Sequence, residues 1–125
     1  MRGIGFYFFV FGALCVTLGM FWGIAMAISG DHTLAGAHAH LNLLGWVTMG
    51  LFGLYYTLTP SAAASPLARI HLAIAVAGVV IMVPGIAIAI SHGGEAIVAV
   101  GSLLTAASML LFLYTLFRNG LGRPG

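Results

Sequence analysis

Charge is what this sequence lacks. Its 125 residues include four arginines, no lysine, one aspartate and one glutamate, so 5% are charged against 62% hydrophobic. Soluble domains carry about one-quarter charged residues, and a chain so poor in them cannot clothe a surface facing water. The same scarcity excludes a disordered segment, which needs low hydrophobicity and high charge. Nucleic-acid binding is excluded too, because four scattered arginines form no basic patch. A single cysteine, Cys15, cannot close an internal disulfide. Phosphate loops, Gly-rich dinucleotide turns and CxxC pairs are absent, and two loop acids leave no Ser/His/Asp set.

What the chain does have is apolar length. About 20 consecutive apolar residues cross a bilayer, and four segments qualify: 4–29, 35–58, 68–91 and 96–117. The expected fold is all-α, an integral membrane four-helix bundle in one domain over 1–125. Ala25-Met26-Ala27 imitates a signal-peptidase site, but the run before it exceeds the roughly 7–15 residues of a signal h-region, so it reads as a span. Arg2, Arg69, Arg118 and Arg123 fall at one end of these spans and Asp31 and Glu95 at the other. Basic residues collect on the cytoplasmic side, which puts both termini in the cytoplasm of a bacterial inner membrane. Gly19 and Gly23 make a small-xxx-small step for helix packing, Gly45, Gly50 and Gly53 thin the second span, and Pro84-Gly85 should kink the third.

Five histidines stand out in so apolar a chain. His38 and His40 lie one to two turns into the second span, with no carboxylate in their own segment. Ionisable groups within spans are costly and mark ligands, cavities or partners. At about 100° per residue, positions i and i+2 of a helix point roughly 200° apart. The two imidazoles therefore serve two environments. One stripe of the helix holds His38, Asn42, Gly45 and Met49; nearly opposite run His40, Leu44, Val47 and Leu51. His32 and His92 read as solvated residues of the outer side, and His71 as a hydrogen-bonded interfacial residue near Tyr55 and Tyr56. Structural zinc wants four converging ligands, whereas haem accepts axial imidazole and fits between apolar helices beside small residues.

The stretch AHAHLNLLGWVTMGLFGLYYTLTP, followed by LARIHLAIAVAGVVIMVPGIAIAI, resembles the tenth and eleventh helices of haem-copper oxidase subunit I. In that family a His-x-His near the outer end of a helix ligates two haems, one on each side, and the next helix opens with a basic residue, an apolar residue and His. His38-Ala39-His40 matches the first feature; Arg69-Ile70-His71, Gly78 and Pro84 match the second. The family subunit has at least twelve spans in three arcs of four, and this chain has one arc, with no second histidine cluster for copper. The resemblance implies a homotrimer rebuilding the twelve-helix ring. Haem b would be held by metal ligands His38 and His40 of neighbouring copies, with Asn42, Gly45 and Met49 lining the cofactor. Other partners would be membrane lipid and an electron donor, a protein or a quinone. Four functions stay open: electron transfer by bis-histidine haem, gas binding or reduction at a haem with one histidine, a haem-free metal or proton carrier using His32, His38, His40 and His92, and a purely structural small membrane subunit.

Overall fold

The computed structural model describes residues 2–124. Within it the chain is all-helical: α1 (Ile4–Ser29), α2 (Ala35–Leu58), a single turn α3 (Pro60–Ala63), α4 (Pro66–His92) and α5 (Ala96–Asn119). The four long helices are each apolar and long enough to cross a membrane. Helices meet that environment because every backbone N–H and C=O within a span is satisfied by the helix itself. α1 and α4 stop at glycines in the left-handed conformation, Gly30 (φ 71°) and Gly93 (φ 80°), which return their N–H groups to Met26 O and Ala89 O. α4 begins with Pro66 behind Ser65, whose hydroxyl accepts from the Leu67 N–H, and it runs unbroken through Pro84.

The helices pack as two close pairs, α1 with α2 and α4 with α5. Small residues set both seams. On α1, Gly5 and Gly12 recur at seven residues and face Gly53 and Gly45 of α2; a Cβ on Gly5 would lie 2.7 Å from Gly53 O and one on Gly12 3.2 Å from Gly45 O. On α4, Gly78 and Gly85 repeat the same interval, and their Cβ atoms would meet the backbone nitrogens of Thr105 and Val98 at 3.1 and 2.7 Å. Lipid is as apolar as leucine, so spans associate through this close approach rather than through hydrophobicity. Large side chains turn outward, among them Leu18, Phe21, Leu103 and Phe117.

Two buried clusters lie at different depths. One, at the end bearing both termini, gathers Phe8, Met49, Phe52, Tyr55 and Tyr56; the other gathers Cys15, Ala37, Val79 and Val83. The C-terminal segment closes the first cluster, with Tyr55 donating to Gly120 O at 2.8 Å and the Gly122 N–H donating to Thr59 Oγ1 at 2.9 Å.

Regular helical geometry does not hold through α2. Residues Leu41–Thr48 are π-helical, with the Thr48 hydroxyl donating to Leu43 O five residues back at 3.0 Å. Hydropathy marked the length of this span but carried no sign of the wider turn.

The α4–α5 seam gives a direct test. A Cβ on Gly101 would sit 2.5 Å from Met82 Cα and N, backbone atoms that cannot swing aside. Gly101→Ala is expected to cost about 1–3 kcal/mol by overpacking, lowering the thermal midpoint in detergent by several degrees. Gly94→Ala, with nothing within 4 Å of its Cβ position, should leave the midpoint unchanged.

Candidate haem-ligand histidines at one end of the second span

His38 and His40 sit in the regular opening turns of α2, Ala35–His40, and they diverge as a two-residue interval requires. The His38 ring turns into the α1–α2 seam. Its Nε2 donates to Gly19 O at 2.9 Å, and Trp22 stands edge-on to the ring at 5.8 Å. Gly23 leaves it room, since a Cβ there would lie 3.2 Å from Nε2. A carbonyl can only accept, so the ring hydrogen is on Nε2 and the unengaged lone pair is on Nδ1. Asn42 adjoins the same atom, its Nδ2 at 3.3 Å, an orientation that leaves Oδ1 buried without a partner. A half-turn of the amide presents the oxygen to Nε2–H instead, so that Gly19 and Asn42 share one hydrogen.

His40 is arranged the opposite way. Its Nδ1 donates to Gly36 O, one turn back, at 2.7 Å. The hydrogen is therefore on Nδ1, and Nε2 keeps a free lone pair with no hydrogen-bond partner among the described residues. The ring is half-buried and Leu43, Val47 and Leu51 beyond it are exposed. Metal-bound imidazoles commonly show this pattern, one nitrogen anchored to a carbonyl and the other presented to the metal.

The remaining residues of the His38 stripe face the same way as His38. Asn42 packs on Gly19, a Cβ on Gly45 would meet Cys15 Cβ at 2.7 Å, and Met49 is 1% exposed in the core with Phe8. Within one copy, α1 fills the space that Asn42, Gly45 and Met49 border. Beside Trp22 a groove of about 260 Å³ opens, lined by Ala25, Met26, Ser29, Asp31 and Leu34. That is below the roughly 300–1,000 Å³ of small-molecule pockets, and neither His38 nor His40 lines it.

The other histidines separate by depth. His32 is exposed and bonded to Gly30 O, and His92 is exposed at the end of α4. Among the described residues no three His, Cys, Asp or Glu side chains converge on a common point. Asp31 is exposed, and the hydroxyl and backbone N–H of Thr33 hold its carboxyl below the usual carboxylate range. His71 is hydrogen-bonded to a tyrosine of the expected pair, Tyr56, and it is also 0% exposed, enclosed by Phe8, Phe52 and Phe112. The enclosure was not legible in the sequence, because its rings come from three different helices.

The opposed hydrogen bonding has a spectroscopic consequence. In detergent-purified protein labelled with ¹⁵N-histidine and free of added metal, long-range ¹H–¹⁵N correlations are expected to assign His38 to the Nε2–H tautomer and His40 to the Nδ1–H tautomer. One shared tautomer would contradict the geometry. Compared with family models, curated proteins and solved structures, the chain matches none.

Proposed function

We propose that this chain is a membrane b-type haem protein that transfers electrons, with haem held between neighbouring copies of a homotrimer. The observation that carries the reading is His40: an anchored imidazole whose free Nε2 stands on an outward, apolar face. A polar atom left unpaired in hydrocarbon costs free energy, and an axial iron bond would remove that cost. His40 fits the group as it stands. His38 fits once Nε2 leaves Gly19 O and the ring hydrogen moves to Nδ1, and its place on the other side of the helix assigns it to a different haem from the His40 of its own copy. Three copies in a ring would give each haem His40 from one chain and His38 from the next. The arrangement is similar to an oxidase core without copper.

Haem held by both histidines would supply a one-electron couple and would leave no site for an added ligand. The chain's own residues hold and orient: Gly36 O fixes the His40 tautomer, and Asn42 and Gly19 govern when His38 is released. The electron donor would be a protein or a quinone. The arginine distribution supports both termini on the cytoplasmic side, and a bacterial inner membrane is part of the proposal.

One observation favours a second reading. The His38 nitrogen that would bind iron already has a partner in Gly19 O. If that bond persists, His40 alone holds the haem and the open position takes NO, CO or O₂, which suits a gas sensor or reductase.

A pyridine haemochrome assay with native mass measurement on the same detergent-purified sample tests the proposal. It should give haem b at one per chain in a trimer. His40→Ala should lose haem by about tenfold or more, since even outer-shell partners of metal ligands are worth 10–100-fold. His38→Ala separates the readings: haem loss supports the two-histidine site, whereas retained haem with a CO-shifted spectrum supports the gas site. Colourless wild-type protein would overturn both.

A further inference from the structure

The aromatic core at the end carrying both termini encloses a polar pair that the proposed haem site does not use. Tyr56 Oη lies 2.8 Å from His71 Nδ1, and the two residues are 1% and 0% exposed. The Thr115 side chain also adjoins the phenol, but the imidazole lone pair is the stronger acceptor of the two, so the O–H donates to Nδ1. The imidazole hydrogen then sits on Nε2, a buried atom with no partner of its own. A phenol aimed at an imidazole lone pair has a base in place to take its proton.

We propose that Tyr56 and His71 form a redox-active phenol–imidazole pair: a one-electron oxidant of the high-potential metal-complex class takes an electron from Tyr56 while its proton passes to His71 Nδ1. The O–H bond breaks as the Nδ1–H bond forms. The oxidant's metal falls by one oxidation state, leaving a neutral tyrosyl radical and an imidazolium; re-reduction returns the proton to the oxygen. Three rings enclose the imidazole, the centroids of Phe52, Phe8 and Phe112 lying 4.4, 5.2 and 5.8 Å from it, and both residues are shut off from solvent, so a proton leaving the phenol stays within the pair. The two acidic side chains of the chain, Asp31 and Glu95, belong to the loops at the opposite end.

The other tyrosines lack this arrangement. Tyr55 donates to the backbone carbonyls of Gly120 and Thr115, which are not bases, and the Tyr7 and Tyr114 side chains are half exposed on the outer surface. Burial also shields a radical on Tyr56 from small quenchers.

The test is flash oxidation of the full chain in nanodiscs by photogenerated tris(bipyridine)ruthenium(III), read by EPR; it reports on tyrosine whether or not haem is bound. A tyrosyl signal is expected in the wild type and in Tyr55→Phe. It should fall by at least about tenfold in Tyr56→Phe and in His71→Gln, in line with the worth of a positioned base. Undiminished signal in either of those variants, at unchanged helix content, would overturn the pair. Should both variants misfold, the wild type decides alone: with ¹⁵N-histidine the radical must couple to one imidazole nitrogen, and absence of that coupling contradicts the proposal.

Discussion

Two imidazoles two residues apart on a helix cannot look the same way, and in a medium without water each must find its own partner. That constraint organises one end of this bundle. His38 finds the Gly19 carbonyl across the α1–α2 seam, at the cost of keeping Gly19 and Gly23 free of side chains. His40 finds a carbonyl of its own helix and is left with an unsatisfied nitrogen on the outer face. The asymmetry gives the two rings different availability: one must first be released, the other already offers its lone pair.

The seams that hold this arrangement are built from absence of side chain rather than from apolar bulk. Glycines at seven-residue intervals on α1 and α4 bring backbones together, which is how spans associate when lipid competes equally for apolar surface. The outward surface is left mostly to large hydrophobic residues, and the histidine-bearing polar pairs lie towards the two ends of the bundle. At the terminal end the polar pair is Tyr56 and His71, sealed among rings; at the opposite end it is His38 and His40, one turned into the α1–α2 seam and one outward.

Much of the architecture was legible in the sequence, because span length is a direct consequence of bilayer thickness. Four spans of nearly the observed extent followed from apolar runs alone, with α4 starting at Pro66 and α5 ending at Asn119, two residues outside the expected limits at each of those ends. The opposed directions of His38 and His40 followed from helical rise and twist. The tyrosine near His71 was foreseen, its burial was not, since Phe8, Phe52 and Phe112 meet only through tertiary packing. Nor could the partner of His38 be read: a backbone carbonyl has no letter of its own, and Gly19 advertised close packing without saying what would fill it. The π-helical stretch after His40 was hidden for a similar reason, as five-residue hydrogen bonding depends on backbone register rather than on residue type.

The central claim is that a haem takes one imidazole from each of two copies. Co-expressing His38→Ala chains with His40→Ala chains measures this most directly, with haem content read on mixed oligomers isolated through two different affinity tags. The account predicts that either variant alone is depleted of haem, while mixed oligomers recover it at interfaces where an intact His38 meets an intact His40. Mixed oligomers no richer in haem than the separate variants would contradict a site shared between chains.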